Sequence, residues 1–155
     1  MDRIDLKILG CLQEDVTMPV ASVAERVGLS ASPCWRRIQS LIEKKVIRRR
    51  VALVDPESVN VPVTVFVTLK TNRHHVKWMT AFAREVAKIP EVMEFYRMSG
   101  EVDYLLRIVV PDVAAYDRVY KRLINASELF DVSSSFAMET IKYSTALPLN
   151  YADVD

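Results

Sequence analysis

Glycine is scarce in this sequence. Three glycines and seven prolines in 155 residues leave no material for a low-complexity tract or a long flexible linker. Cysteine is nearly as rare. Cys11 and Cys34 both fall on apolar phases of expected helices, where a small reduced thiol behaves as a core residue, and no second feature supports a redox role. Histidine is confined to His74-His75, and adjacent residues rarely converge on one metal. No Cys- or Glu-rich partner set stands at ligand spacing, and Glu101 and Asp103 have no nucleophile near them in sequence. The expectation is therefore no enzyme, no metal and no cofactor. No apolar run approaches 18 residues, so neither a membrane span nor a membrane partner is expected. The opening Met1-Asp2-Arg3-Ile4-Asp5 lacks the basic and apolar regions of a secretory signal, which points to a cytoplasmic protein.

Net charge is also nearly absent, at +1, but it is unevenly spread. Residues 1–50 carry +4 and residues 51–155 carry −3. Between Arg36 and Arg50, seven basic residues (Arg36, Arg37, Lys44, Lys45, Arg48, Arg49, Arg50) stand against Glu43 alone. A neutral chain with one basic end suits phosphate contact by one domain and another task for the rest.

That basic end follows the stretch around which the chain is organised, Ser22 to Ile47. Val23, Ala24 and Val27 make one face of a short helix, and Gly28 follows where a helix can close in a left-handed residue. Ser32 is suited to cap a second helix, with Pro33 at its first position. Cys34, Ile38, Leu41 and Ile42 then form a buried stripe. The remaining positions carry groove-reading chemistry: Arg bonds guanine, Gln bonds adenine, and Ser bonds phosphate or a base edge. The expected DNA-binding set is Ser30, Ser32, Pro33, Trp35, Arg36, Arg37, Gln39, Ser40, Lys44 and Arg48. Trp35 lies either outward against the duplex or inward as core; outward fits better, because Cys34 and Ile38 already define the buried stripe. The bland alternative is a surface helical hairpin with a solvated charged face. The charge asymmetry favours a helix-turn-helix.

A first helix, Asp2 to Asp15, places Ile4, Ile8, Cys11 and Leu12 at helical spacing and closes a three-helix core. Such a core is marginal alone. Val51–Val54 reads as a linking strand before Asp55-Pro56, with Arg48, Arg49 and Arg50 either touching phosphate or forming a solvated hinge. Val61 to Leu69 alternates as a half-buried strand. Val76 to Ile89 is helical, with Met79, Phe82, Val86 and Ile89 on one side. Strands follow at Val92–Met98 and Tyr104–Val110, then a helix capped by Asp112, then a final strand from Val132 to Tyr143. The order β-α-β-β-α-β is the ferredoxin-like plan, and the fold class is α+β. The expected domains are a helix-turn-helix over 1–50, a linker strand or hinge over 51–60, and a ferredoxin-like effector and oligomerisation domain over 61–155. A sheet face left uncovered, with Phe66, Phe95 or Phe136 on it, would seek a partner, so a homodimer is expected.

The whole pattern resembles the Lrp/AsnC family of bacterial and archaeal transcription regulators. The residues that carry the likeness are Asp2-Arg3-Ile4-Asp5 with Ile8-Leu9, Val27-Gly28-Leu29-Ser30, Pro33-Cys34 with Arg37-Ile38 and Leu41, and Val51 to Pro56. The loop Ser99-Gly100-Glu101-Val102-Asp103-Tyr104-Leu105-Leu106, then Val110-Pro111-Asp112 and Met138-Glu139, complete it. The resemblance implies a winged-type helix-turn-helix, a C-terminal domain that binds a small amino acid, and dimers assembling into octamers on double-stranded DNA. It also implies an effector pocket between dimers, with Met98, Ser99, Gly100, Glu101 and Asp103 on one side and Ser134, Ser135 and Phe136 on the other. Position 101 is often Asp in that family and is Glu here.

The chemistry fits an amino acid. Asp103 suits an ammonium, backbone N–H groups near Gly100 suit a carboxylate, and Phe136 beside two serines suits a small, partly polar side chain. Asp103 as a turn residue and Ser133-Ser134-Ser135 as a polar strand edge are the plain alternatives. A two-fold dimer calls for a pseudo-palindromic operator. The functional expectation is a regulator of amino-acid metabolism or transport. The rival is an architectural protein that compacts DNA without reading an effector.

Overall fold

The computed structural model describes residues 1–72, 76–126 and 129–154. It divides the chain into two compact units, Met1–Ala52 with Ile141–Asp155, and Leu53–Thr140.

The first unit is built from α1 (Arg3–Glu14), α2 (Val20–Val27) and α3 (Ala31–Glu43). Asp2 starts α1 by accepting from the Ile4 and Asp5 amides, and Asp5 returns the favour at the Asp2 amide, a reciprocal capping box. Gly28, at φ +75, closes α2 in the left-handed region, with Leu29 N–H donating to Ala24 C=O. The start of α3 differs from expectation. Its N-cap is Ser30, and Ser32 and Pro33 lie inside the first turn. A first-turn amide has no partner within the helix, so Pro33 costs nothing one or two residues further in. The helix ends with Lys45 at φ +58 while Val46 N–H reaches back to Leu41 C=O. Ile8, Leu9, Val23, Ala24, Val27, Cys34, Ile38 and Leu41 form the buried core.

The expected strand over Val51–Val54 does not form. Val51, Leu53 and Val54 are exposed, and a strand has no meaning without a neighbour to share its ladder. The domain limits differ too, because the tail from Ile141 packs with the helices. Leu147 exchanges two hydrogen bonds with the Gln13 side chain, and Leu149, in a 3₁₀ turn over Leu149–Tyr151, packs against the helical core.

The second unit is a four-stranded antiparallel sheet of order β2-β3-β1-β4, where β1 is Val63–Lys70, β2 is Val92–Arg97, β3 is Tyr104–Val110 and β4 is Asp131–Phe136. Helices α4 (Val76–Val86) and α5 (Val113–Ala126) supply Phe82, Val86, Ala115, Tyr116, Val119 and Leu123 to the core. From the strands come Val65, Val67, Leu69, Tyr104, Leu106, Ile108 and Val110. Asp112 caps α5 by accepting from the Ala115 amide at 2.6 Å. β4 stops at Phe136, well short of the expected Tyr143. Its last rung is Ala137 N–H to Thr64 C=O, and the next partner along β1 would be Pro62, which has no amide to give.

Of the three aromatic residues expected on the open face, only Phe66 is there, 40% exposed. A bulge at Met93 shifts the β2 register between Val92 and Glu94, which turns Phe95 onto Phe82 and Tyr104 in the core. Phe136 pairs with buried Val65 and meets the Tyr116 ring edge-on.

Candidate DNA-reading and effector surfaces

On α3, Ser32, Trp35, Arg36 and Gln39 stand at i, i+3, i+4 and i+7, so they share one outward stripe opposite Cys34, Ile38 and Leu41. Trp35 is 53% exposed, which agrees with the outward alternative. Ser30, Lys44 and Arg48 are exposed at the two ends of the stripe, while Pro33 and Ser40 are half-buried at its margins. Arg36 has no acidic partner among the described residues and is available to a polyanion. Arg37 is the departure. Its Nη1 is held by Asp2 at 2.7 Å and Asp5 at 2.8 Å, so unlike Arg36 it is paired with acids at the start of α1.

The expected effector residues all lie in the second unit. The loop between β2 and β3 is tied down at both ends: Met98 N–H donates to Asp103 C=O, and Asp103 N–H to Leu69 C=O. Gly100 takes φ +122, which a side chain would oppose. Asp103 is an anchor, since its Oδ2 accepts the Thr71 amide at 2.7 Å and ties the loop to the end of β1. This oxygen bonds Thr71 and not its own loop, which differs from the plain alternative of a self-bonded turn residue. Glu101 reaches Lys70 at 3.2 Å with its side chain 90% exposed, so the longer acid is accommodated in solvent.

The other half of the set sits on β4, across β1 from that loop. The two flanking strands are about 10 Å apart. Ser134 is opposite Val67 and shares a hydrogen bond with the Tyr116 hydroxyl. Burial pushes the Tyr116 phenol above its usual range, and the Ser134 bond opposes that shift. Ser135 pairs with Phe66 and points to the opposite face from Ser134 and Phe136. Within one chain, then, the two halves are not brought together. An open depression of about 790 Å³ beside the α5–β4 connection is lined by Tyr120, Ile124, Asn125, Leu129, Phe130, Asp131 and Val132, none of them in the expected set. His74 and His75 lie outside the described residues.

Sequence reasoning missed Asp2, Asp5, Thr71 and Tyr116. Tyr116 carries an apolar phase that reads as core. The acidic pair suits the start of a helix, where the two residues cap α1.

A helix-turn-helix with a solvent-facing Trp-Arg stripe, on the same chain as a ferredoxin-like domain, defines a DNA-binding regulator of two-domain type. Comparison with known proteins is specific. Residues 1–42 match the AsnC-type helix-turn-helix domain, and residues 64–147 match the Lrp/AsnC ligand binding domain. The glutamate uptake regulatory protein of Zymomonas mobilis is 46% identical over 149 residues, covering 96% of this chain and 91% of that one. A crystal structure of an AsnC family transcriptional regulator from Agrobacterium tumefaciens superposes with a TM-score of 0.94 at 62% identity, covering 97% and 99% of the two chains. A transcriptional regulator from Neisseria meningitidis, solved as its L-Met complex, gives 0.91 at 38% identity, with 97% of each chain covered. The chain belongs to the Lrp/AsnC family of transcriptional regulators. No helix among the described residues is long and apolar enough to cross a membrane.

Proposed function

We propose that this protein is a cytoplasmic regulator of amino-acid metabolism or transport whose DNA binding responds to a small amino acid. Its contacts with DNA come from Ser30, Ser32, Trp35, Arg36, Gln39, Lys44 and Arg48 on a pseudo-palindromic operator. The effector is held by Met98, Ser99, Gly100, Glu101 and Asp103 of one protomer, with Ser134, Ser135 and Phe136 from another copy. What supports this reading is the anchored glycine–acid loop. Its exposed Ser99 and Glu101 are held at the end of β1 on the far side from β4, an arrangement that a second copy can complete. The homologous regulator that binds L-methionine supports the ligand class.

Assembly is a homodimer through the sheet face opposite the helices, and four such dimers form an octamer. On that face Phe66 is 40% and Tyr96 51% exposed, apolar area that gains by being covered.

A thermal-shift panel of the twenty amino acids tests the proposal. An effector bound only by the native state adds about 2.7 kcal/mol at a hundredfold excess over its Kd. A selective rise is expected, lost in Glu101→Gln or Asp103→Ala and kept in a surface control. A flat panel overturns the sensor and leaves the architectural reading, in which the octamer compacts DNA without an effector. Light scattering on Phe66→Glu tests the dimer, with monomer expected.

A further inference from the structure

The two adjacent arginines of the reading helix stand in opposite electrostatic situations. Arg36 is exposed and has no acidic partner among the described residues. Arg37 is 34% exposed, and its Nη1 donates to Asp2 Oδ2 and to Asp5 Oδ1. Both carboxylates are themselves fixed. Asp2 uses Oδ1 to accept the Ile4 and Asp5 amides, and Asp5 uses Oδ2 to accept the Asp2 amide. Each acid therefore spends one oxygen on the start of α1 and the other on Arg37. The trio carries a net charge of −1, so it attracts a phosphate less than Arg36 does, yet it lies one position along α3 from the base-reading candidates.

We propose that Arg37 is a positioning residue for DNA reading. Held by the capped N-terminus of α1, it fixes the rotation and depth of α3, so that the Ser32–Trp35–Arg36–Gln39 stripe meets the groove, and it makes no DNA contact of its own. Two side-chain carboxylates, each locked by the first turn of a helix, form a rigid seat that a solvated acid does not. The adjacent core contacts of Ile38 and Leu41 set how closely α3 approaches α1. Packing of Cys34, Ile38 and Leu41 resists a sideways slip or roll of the helix, and a directional contact such as this one adds to that resistance.

The test uses the full-length chain and two DNA probes: a duplex selected from a random pool by the unaltered protein, and a scrambled duplex of equal length. Affinities are measured across a salt series, at a temperature where circular dichroism shows each variant folded. Arg37→Met keeps the apolar stem and removes the clamp. The pair Asp2→Asn with Asp5→Asn keeps a capping oxygen at each position and removes the charge that holds Arg37.

Both variants are expected to lose about tenfold on the selected duplex, the scale of one misplaced base contact. On the scrambled duplex Arg37→Met should bind as before, and the asparagine pair as well or better. The salt slope for Arg37→Met should be unchanged. A slope reduced by about one, with equal loss on both duplexes, would make Arg37 a phosphate contact and overturn the proposal. Tighter binding of the selected duplex by the asparagine pair would overturn it as well, since the acids would then be competing with DNA for Arg37. Unaltered binding in both variants would leave the clamp without a role in reading.

Discussion

The two units of this chain solve the problem of stability differently. In the sheet unit, Phe82, Tyr104 and Tyr116 are buried, and Trp78 stacks on Phe82 while Phe95 meets it edge-on, behind a four-stranded antiparallel sheet. The helical unit buries no aromatic side chain among the described residues and relies on aliphatic contacts around Ile8, Val23, Ile38 and Leu41. It adds polar devices at its margins: the capping box at Asp2, the Arg37 clamp, and the tail that returns through Leu147 and Leu149. A small helical core has little reserve, because it buries a smaller fraction of its surface than a larger domain does. Supports at its edge then carry a larger share of its stability.

The largest expected effect tests that difference directly. Ile38→Ala and Ile108→Ala remove matched side chains, each almost wholly buried, from the two cores. Each should cost about 2–5 kcal/mol. In Ile38→Ala that loss should unfold the helical unit and abolish DNA binding while hydrogen exchange in the sheet stays protected. Ile108→Ala should lower the melting transition of the sheet unit without unfolding it at 25 °C. Equal tolerance of both substitutions would contradict the claim that the helical core lacks reserve.

Gly28 gives a smaller break. At φ +75, with open space where a Cβ would stand, Gly28→Ala meets a backbone penalty alone. About 1–2 kcal/mol is expected, read from chemical denaturation of the helical unit. A loss well above that range would mean that α2 shifts rather than strains.

How much of this was legible follows from how far each feature reaches along the chain. Gly28 and Asp112 announce themselves because a cap bonds backbone groups three or four residues away, inside the window that periodicity describes. The helix order and the ferredoxin-like sheet came through for the same reason. Phe95 did not, because a single extra residue at Met93 inverts every side chain after it, and nothing in the spacing of β2 marks that residue. Arg37 did not either, since its partners lie 32 and 35 residues away. The tail was the largest omission. Ile141 and Tyr143 read as a strand continuing, yet the strand they would extend has run out of donors at Pro62. The effector set implied by the resemblance falls on the β2–β3 loop and on β4. Sequence had no means of seeing that β1 stands between them.

The tail supplies the next prediction. Gln13 both donates to Leu147 C=O and accepts from its amide, at 3.2 and 2.8 Å, in a solvent-exposed pair. Gln13→Ala should therefore cost about 1 kcal/mol. Leu149→Ala, which removes a half-buried side chain from the helical core, should cost about as much. In a unit of this size that corresponds to roughly 4–8 °C in Tm. Truncation after Thr140 should produce the sum of the two, and the transition of the sheet unit should stay where it was. A fall in both transitions would show that the tail is not a local support.

The smallest effect concerns Asp2 and pH. Its carboxyl is held below the usual carboxylate value first by the Asp5 amide; burial opposes that, and Arg37 and the Ile4 amide add to the lowering. A folded pKa below the unfolded one means that the folded protein binds protons less readily, so stability contributed by Asp2 is fully present above the unfolded value of 3.8. That contribution declines as pH falls through the folded pKa. The side chain is partly exposed, so solvent screening should keep the effect slight beside the core substitutions. It has a distinguishing signature nonetheless. Asp2→Asn should reduce the stability of the helical unit at pH 7 and flatten its pH dependence below pH 4, and the acid limb of the sheet unit should be unmoved. If Arg37→Met abolishes the same acid limb, the titration belongs to the clamp; if the limb survives in Arg37→Met and vanishes only in Asp2→Asn, the backbone cap accounts for it. That separation decides whether the helical unit is held at its edge by a charge pair or by a helix cap alone.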